Sequence, residues 1–323
     1  MSQMNRRDFL KTTAVGAIAA GLAGGSAATE GGIPHRVLGK TGVSVPILGY
    51  GTAPTGVRRE LKDAIEIYNL AIDLGATYMD TAPGFSGYGK SQEYLGHVLK
   101  DRRDEVFLVT KCWEPKGDDA LRLLEKNLKE LQTDRADVVF AHSVGDGRMK
   151  PEVVMGKGGV MEALIKAKKD GLTRFIGISG HNRPQRFVDI LNNFEIDVMM
   201  NAVNFINRYN YDFENKVWPL ARAQEVGLVA MKVFGGGSPR AGERITHSRM
   251  PEQYLPDAFR YPLSIDGCAV ANIGIGTKKE LLRNIEWAKS FKPLDPEELA
   301  KLELIGKSRV NETDWKEQFG KAI

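Results

Sequence analysis

The chain contains 323 residues, of which 42% are hydrophobic, so it can bury one large core or two ordinary ones. Its 45 basic and 41 acidic residues leave a net charge of only +4. Because no dense cluster of Lys and Arg is interleaved with aromatic residues, the composition argues against a nucleic-acid partner.

The N-terminal segment has the pattern of an export signal rather than of a folded domain. Residues 5–11 read NRRDFLK, which resembles the twin-arginine motif, and residues 12–23 form a mildly apolar run rich in Ala and Gly. That run is too short and too weakly apolar to span a bilayer. Residues 26–28 are small and offer a cleavage site. We predict a signal peptide over residues 1–28, with a disordered basic tail as the alternative.

The resemblance to a twin-arginine signal implies a route of export. Proteins with such a signal fold in the cytoplasm, often with a cofactor bound, and then cross the membrane through the twin-arginine machinery. We therefore expect a periplasmic or extracellular protein, whose mature chain, residues 29–323, keeps no stable membrane span.

From residue 35 onward, strand-like and helix-like segments alternate. Residues 35–51 predict a hairpin that turns at 40–42 and continues into a strand over 45–49. A helix over 61–74 follows, and then a short apolar strand that ends at Asp80. The later predicted strands are 106–111, 138–142, 174–179, 197–203, 227–233 and 268–274. The later predicted helices are 91–100, 118–131, 160–170, 184–193, 217–225, 251–261, 281–290 and 297–307.

About eight strand–helix units predict a parallel sheet that closes into a (β/α)8 TIM barrel, with the N-terminal β-hairpin closing its bottom. The alternative is a doubly wound open sheet, which requires a Gly-rich loop opening a helix after the first strand. Residues 49–54 read GYGTAP, and we expect Pro54 not to open a helix. No linker or low-complexity run interrupts residues 29–323, so we predict one domain.

The cysteines offer little chemistry. Cys112 and Cys268 are the only two, and neither a CxxC motif nor a His-rich spacing is present, so no metal site is predicted. Cys112 ends the third predicted strand and Cys268 begins the last. Since these strands are not neighbours in a barrel, we expect no disulfide between them.

Titratable residues stand at the tips of three consecutive predicted strands. These residues are Asp80, Lys111 and His142, and an irregular loop rich in Gly follows Asp80. Because the carboxyl ends of parallel strands meet at one mouth of a barrel, where barrel enzymes keep their catalytic residues, we expect the three side chains to lie close together.

The ordered set of motifs resembles the aldo-keto reductase family, from about residue 36 to residue 284. It consists of LGKTG at 38–42, DTA at 80–82, SQEYLG at 91–96, TK at 110–111 and the strand that ends at His142. The resemblance implies a barrel that binds NADP(H) or NAD(H) and interconverts a carbonyl group, of an aldehyde, ketone or sugar, with the matching alcohol.

By resemblance, the strand-tip residues acquire catalytic roles. In the family, a Tyr gives its proton to the carbonyl oxygen while hydride moves to the carbonyl carbon. Lys111, paired with Asp80, would favour ionisation of that Tyr, and His142 would position the carbonyl. The family places the Tyr five residues after the Asp, where this chain has Phe85. Tyr88 is therefore the candidate substitute acid, and a protonated His142 is the alternative.

The resemblance also implies cofactor contacts. Ser179 stands where the family uses a Ser to bind the carboxamide, and Met231 stands where a Tyr commonly stacks on the nicotinamide. Asn201 follows Met200, which aligns with the Gln that usually helps to hold the amide. Lys232, at a strand tip, is a candidate to contact phosphate or substrate, and a solvated surface lysine is the alternative. The adenosine-phosphate segment supplies Gly274, Thr277, Lys278 and Asn284. Glu280 occupies the usual basic position of that segment, which leaves the choice between NADH and NADPH open.

Aromatic residues at the predicted mouth, Phe85 and Trp113, are candidates for substrate contact. Asn182, Asn201, Asn204 and Arg208 suggest a polar mouth suited to a sugar. Two other functions stay open. One is a catalytically impaired barrel that binds nicotinamide as a sensor or partner subunit, favoured by Phe85. The other is a lyase or aldolase using Lys111 as a Schiff-base amine, which the charge of Asp80 disfavours.

Overall fold

The structure is a computed structural model that describes residues 31–236, 248–312 and Trp315. Eight parallel strands form a closed barrel in the order β10-β3-β4-β5-β6-β7-β8-β9. They are β3 (Leu48–Gly51), β4 (Tyr78–Asp80), β5 (Phe107–Cys112), β6 (Ala136–Ala141), β7 (Thr173–Gly180), β8 (Val198–Ala202), β9 (Gly227–Met231) and β10 (Cys268–Gly274). The predicted (β/α)8 barrel is confirmed, and the predicted signal peptide lies outside the described residues.

Helices surround the barrel because their apolar side chains recur at helical spacing. In the helix Gly117–Glu130, for example, Leu124 and Leu128 are buried on one face. The helices are α1 (Ala53–Arg58), α2 (Leu61–Asp73), α3 (Ser91–Arg102), α4 (Gly117–Glu130), α5 (Pro151–Val154), α6 (Val160–Lys169), α7 (Pro184–Asn193), α8 (Phe213–Lys216), α9 (Trp218–Ala223), α10 (Leu255–Leu263), α11 (Lys278–Lys289) and α12 (Pro296–Arg309).

An antiparallel hairpin closes the bottom of the barrel, as predicted. Its strands are β1 (His35–Val37) and β2 (Ser44–Pro46), joined through a short 3-10 turn. The backbone N–H of Lys40 donates to the carbonyl of Glu225 at 2.6 Å, next to the first residue of β9. Leu38 and Val45 join the apolar cluster inside the barrel. The hairpin therefore seals the end opposite the strand tips.

Two local expectations were wrong. The predicted strand over 45–49 divides at Ile47, whose N–H bonds to Pro34 while its carbonyl accepts from Ala271, so the chain passes there from hairpin to barrel. Pro54 does lie in the first turn of a helix, α1. A proline is well accommodated there because the first helical N–H groups have no partner within the helix. The barrel conclusion is unaffected, because the strand order is that of a closed barrel.

The cysteines, the length of the helices and the distribution of possible metal ligands also bear on the class of the protein. Cys112 and Cys268 are buried and free. Within the ranges given above, no helix is long and apolar enough to cross a membrane. The same residues contain no group of three or more His, Cys, Asp or Glu side chains that could hold a metal ion.

Candidate active site

Asp80, Lys111 and Tyr88 form a closed triangle of hydrogen bonds at the carboxyl end of the barrel. The Nζ of Lys111 donates to Asp80 Oδ1 at 2.5 Å and to the Tyr88 hydroxyl at 3.0 Å. It also donates to the carbonyl of Thr81 at 2.8 Å. The Tyr88 hydroxyl in turn donates to Asp80 Oδ2 at 3.1 Å. Two strand tips and the intervening loop thus bring together a carboxylate, an ammonium group and a phenol.

Glycine contacts hold the loop that carries Tyr88. A side chain on Gly56, in α1, would collide with the carbonyl of Tyr88 and with Ser91. A side chain on Gly84 would collide with the carbonyl of Gly89. The backbone N–H of Gly89 donates to Gly84 at 3.3 Å, and that of Ser91 to Tyr88 at 3.1 Å. These close approaches fix the path that carries the phenol inward to Lys111.

Burial shifts the pKa values of Tyr88 and Lys111 in opposite directions. Burial raises the pKa of Tyr88 well above its ordinary value, and the negative charge of Asp80 raises it further. Burial lowers the pKa of Lys111, an effect that Asp80 opposes. The 3.0 Å hydrogen bond from Lys111 Nζ favours the ionised phenol, as the resemblance implies, but burial and Asp80 act on the pKa of Tyr88 in the opposite direction. Tyr88 keeps its proton at neutral pH, as a general acid must.

His142 lies just after β6 and is buried beside the triangle. Its Nδ1 is 2.9 Å from the Oγ of Ser179 in β7. The rings of Trp113 and His181 stand edge-on to it, with centroids 6.2 and 6.1 Å away. Burial lowers the pKa of His142 well below its ordinary value, and Lys111, His181 and Lys232 lower it further. The imidazole is therefore neutral, which disfavours the alternative in which protonated His142 is the acid.

Phe85 does not take the place that the family count assigns to the catalytic tyrosine. Its side chain is 53% exposed and stacks on Trp113, with ring centroids 6.3 Å apart and an interplanar angle of 7°. The residue in hydrogen-bonding contact with Lys111 is Tyr88, three positions later. Phe85 and Trp113, the predicted substrate contacts, form one aromatic surface beside His142.

A cleft that is partly open to solvent extends from the triangle toward α11. Of the residues predicted to contact cofactor, Met231, Lys232 and Gly274 line it. Other lining residues are Asp80, Tyr88, Pro54, Arg58, Asn272, Glu280 and Arg283. Asn272 Oδ1 and Arg283 Nε are buried atoms without a hydrogen-bond partner among the described residues. Polar groups left in this state fit a polar ligand such as a nicotinamide dinucleotide.

Two predicted cofactor residues also carry buried amide atoms without a described partner. Both Nδ2 and Oδ1 of Asn284, on α11, are in this state. Asn201 accepts a hydrogen bond from Trp218 Nε1 at 3.1 Å through its Oδ1, but its Nδ2 has no described partner. Ser179 is fully buried, and its hydroxyl is engaged by His142.

Thr277 and Lys278 form interactions within the protein that differ from the cofactor contacts predicted for them. Thr277 Oγ1 accepts from the backbone N–H of Glu280 at 3.0 Å and caps α11. Lys278 pairs with Glu66 of α2 at 3.2 Å on the exposed side of the helix and is not among the described lining residues. Glu280 does line the cleft, and its carboxylate accepts from the N–H of Gly276 at 2.8 Å.

The polar mouth that was predicted to suit a sugar is only partly present in the structure, as Asn204 and Arg208 show. Asn204 uses its amide to bond the carbonyl of Lys232 at 2.9 Å, and its Oδ1 accepts from two backbone N–H groups. Arg208 pairs with Glu303 at 2.9 Å. Both side chains therefore support loops, and neither is among the described residues that line the cleft.

Residues 47–300 match the model of the Aldo/keto reductase family. The chain belongs to this family. Membership makes it an oxidoreductase of carbonyl or alcohol groups. Residues 3–23 match the model of the TAT (twin-arginine translocation) pathway signal sequence, which supports export by that route.

Individual relatives are distant. Pyridoxal 4-dehydrogenase of Microbacterium luteolum is 24% identical over 78% of this chain and 92% of its own length. L-galactose dehydrogenase of Arabidopsis thaliana is 32% identical over 46% of this chain and 49% of its own. An aldo-keto reductase from Bacillus halodurans in its holo form superposes with a TM-score of 0.68 at 22% identity, covering 87% of this chain and 99% of that chain. An aldo/keto reductase from Klebsiella pneumoniae in complex with NADP and acetate gives a TM-score of 0.64 at 21% identity, covering 83% and 94%. The structural matches share the fold.

Sequence reasoning missed several residues of this aldo/keto reductase site. Asn272 lines the cleft as a polar residue near the end of an otherwise apolar strand, a signal that pointed to it. Arg58 and Arg283 lie on helices among other charged residues and carry no such signal. Gly56 acts only through its contact with the Tyr88 loop, which no local pattern reveals.

Proposed function

We propose that the protein is an NAD(P)-dependent oxidoreductase that interconverts a carbonyl group of an aldehyde, ketone or sugar with the alcohol, using Tyr88 as general acid. The observation that carries this proposal is the 3.0 Å contact between the Tyr88 hydroxyl and Lys111 Nζ, with Asp80 bonded to both. A protonated phenol beside a buried cation is the arrangement that a carbonyl reduction requires.

Each side chain has a role in this mechanism. When bound, the nicotinamide supplies the hydride to the carbonyl carbon. Tyr88 gives its proton to the carbonyl oxygen, and Lys111 donates a hydrogen bond that stabilises the phenolate as it develops. Asp80 holds Lys111 in place and balances its charge. Neutral His142 orients the carbonyl oxygen from the side of Trp113.

The cofactor would be NADP(H) or NAD(H), held along the cleft. Asn201, Asn272 and Asn284 offer buried amide atoms for hydrogen bonds to it, and Met231 offers an apolar contact for a ring. The NADP complex of the Klebsiella pneumoniae relative supports a nicotinamide dinucleotide. Glu280 and Arg283 of α11 both line the cleft, so a phosphate on the ribose would meet one like and one opposite charge, and NADH and NADPH both stay candidates.

Replacing Tyr88 by Phe tests the assignment, because it removes only the hydroxyl. We expect kcat for aldehyde reduction to fall by at least about 100-fold, while the Kd for NADH, from tryptophan fluorescence, is unchanged. Tyr254→Phe is the matched control, since it removes a phenolic hydroxyl outside the described cleft lining. An unchanged kcat in Tyr88→Phe would reject Tyr88 as the acid.

One observation favours a second candidate, a nicotinamide-binding barrel with impaired catalysis. The Tyr88 hydroxyl donates to Asp80 in this structure, so its proton must turn away from Asp80 before it reaches a carbonyl. Tight cofactor binding without turnover of any carbonyl in a broad screen would support this candidate. A Schiff-base role for Lys111 has less support, because Lys111 donates hydrogen bonds to three separate acceptors.

The mature domain is proposed to span residues 29–323 and to act in the periplasm or outside the cell. An exported enzyme cannot draw on the cytoplasmic cofactor supply, so it should carry its own. Protein purified from the exported fraction would be denatured and its released NAD(H) and NADP(H) quantified. Near-stoichiometric cofactor supports the redox proposal, and protein that is empty and binds neither added cofactor opposes it.

A further inference from the structure

Met231, the last residue of β9, lines the cleft together with the three residues that follow it, Lys232, Val233 and Phe234. At Lys232 the chain leaves the extended conformation, with a φ of +55° in the left-handed region. The carbonyl of Lys232 accepts from Asn204 Nδ2 at 2.9 Å and from the N–H of Gly235 at 2.8 Å. The left-handed turn therefore occurs where the chain lines the cleft that Asp80 and Tyr88 also line.

The conformation at Lys232 is costly for a lysine. Residues with a Cβ rarely adopt positive φ, and Gly or Asn would do so more readily. Asn204 secures the turn from outside, since its Oδ1 accepts from Ile206 and Asn207 at 3.1 and 2.9 Å. Strained residues held by surrounding hydrogen bonds are concentrated at functional sites. Five other non-glycine residues of the described chain also have a positive φ, and Lys232 is the one of these six that lines the cleft.

The surroundings of Lys232 favour a negative ligand. Among the described lining residues, the carboxylates are Asp80 and Glu280, and each already accepts hydrogen bonds within the protein. The basic lining residues are Arg58, Lys232 and Arg283.

The protonation of Lys232 reflects this positive environment. Burial, Lys111 and Arg249 lower the pKa of Lys232 to about 8, against the opposing charge of Asp80. His181 is neutral for the same reason, because burial and the charges of Lys232 and Lys111 lower its pKa well below the ordinary value. An anion placed here would gain from several cations in a partly desolvated site.

We propose that Lys232 is a specificity-determining residue that binds a carboxylate of the substrate, so that the enzyme prefers acidic carbonyl compounds to neutral ones of the same shape. This inference rests on the proposed function, because it concerns the substrate whose carbonyl meets Tyr88. The same amine chemistry would also suit a phosphate of the cofactor, and the experiment separates the two sources.

The test uses a matched pair of aldehydes, 4-carboxybenzaldehyde and its methyl ester, which differ in charge at the end remote from the carbonyl. The variants are Lys232→Met, which removes the charge, and Lys232→Arg, which keeps it. Lys126→Met is the control, because Lys126 is exposed on α4 and pairs only with Glu130 among the described residues. The ratio of kcat/KM for acid over ester is measured for each protein, together with the Kd for NADH and NADPH.

We expect the wild-type enzyme to prefer the acid by about tenfold, the scale of one charge-assisted hydrogen bond. Lys232→Met should lower kcat/KM about tenfold more for the acid than for the ester and so abolish the preference, whereas Lys232→Arg and Lys126→Met should retain it. An unchanged ratio in Lys232→Met overturns the proposal. An unchanged ratio together with weaker cofactor binding assigns Lys232 to a cofactor phosphate and overturns it as well.

A binding measurement keeps the inference independent of turnover. Calorimetry with the alcohol product, 4-(hydroxymethyl)benzoate, should give a Kd about tenfold lower for wild type than for Lys232→Met. If neither aldehyde is reduced with either cofactor, the broad carbonyl screen decides the proposed function, while this Kd difference still supports carboxylate binding by Lys232. Equal Kd values in the two proteins reject that binding.

Discussion

The two ends of the barrel each bury a carboxylate, and they treat it differently. At the bottom, Asp137 of β6 accepts from Arg103 at 2.9 Å, Arg174 at 2.7 Å and the backbone N–H of Leu108 at 2.8 Å. At the top, Asp80 bonds to Lys111 and to the ionisable hydroxyl of Tyr88. The donors at the bottom are two guanidinium groups and a backbone N–H. The donors at the top include a phenol, which can pass its proton to a substrate.

The surroundings of Asp80 and Asp137 also differ. The top end borders a cleft lined by Asn272 and Arg283, each with a buried polar atom that has no hydrogen-bond partner among the described residues. The bottom end is closed by the hairpin, and the surface pocket that Asp137 lines there is bordered by Arg103 and Arg174, which are both paired with Asp137. In barrel enzymes, the loops at the carboxyl end carry function and the opposite end carries stability. A buried ion pair alone therefore does not identify a site, and the unsatisfied groups around it do.

Exchanging each carboxylate for an amide should separate the two ends. Asp80→Asn leaves Lys111, which is 0% exposed, without its counter-charge, and should cost about 3 kcal/mol of stability. Asp137→Asn should cost only about 1–2 kcal/mol, because Arg174 is 47% exposed and can turn to water. Urea unfolding measures both costs.

The same two variants, Asp80→Asn and Asp137→Asn, should differ more in kcat than in stability. We expect Asp80→Asn to lose most of its kcat and Asp137→Asn to retain it, since Asp137 contacts neither Lys111 nor Tyr88 among its described partners. Equal losses of kcat at both ends would contradict the functional division of the barrel.

A smaller effect is expected from Gly56→Ala, which sharpens the comparison at the top end. The added methyl group would press on the carbonyl of Tyr88 and displace the phenol from Lys111. We expect kcat to fall by about 10- to 100-fold, as a misplacement near 1 Å does, and the melting temperature to fall as well, because the added carbon would collide with backbone atoms of Ser91 and Tyr88. Gly147→Ala is the control, since nothing lies within 4 Å of its added carbon. Equal kcat values in the two variants would contradict the positioning role of Gly56.

The last prediction concerns Glu214, the third buried carboxylate among the described residues, which accepts a hydrogen bond from the hydroxyl of Tyr261 at 3.0 Å. Burial raises the pKa of Glu214 to about 7 from an ordinary 4.5. The folded state then binds a proton that the unfolded state has released, so stability falls as pH rises from 4.5 to 7.

Glu214→Gln should remove this dependence. We expect the variant to be more stable than wild type by about 3 kcal/mol at pH 8 and no more stable near pH 4.5. Denaturant unfolding at the two pH values measures the difference. A stability gap that does not change with pH would show that Glu214 titrates normally.

The repeated alternation of apolar strands and amphipathic helices was sufficient to predict the barrel. This succeeds because strand and helix periods are local properties of the chain, and eight parallel units have few ways to bury their strands. Asp80, Lys111 and His142 were predicted together for the same reason, since the tips of parallel strands share one end. The export signal is likewise a local pattern, and the comparison with known signals supports it.

Only the tertiary structure decided which tyrosine meets Lys111, because contacts of Gly56, Gly84 and Gly89 route the loop and a residue count cannot follow them. Tertiary packing also decided that Lys278 turns to Glu66 while Glu280 lines the cleft, through the rotation of α11 against the barrel. The left-handed turn at Lys232 depends on a hydrogen bond from Asn204, 28 positions earlier. The sequence by itself determined the strands and helices and the end of the barrel at which the strand tips meet. Contacts between distant parts of the chain decided which side chains line the active site.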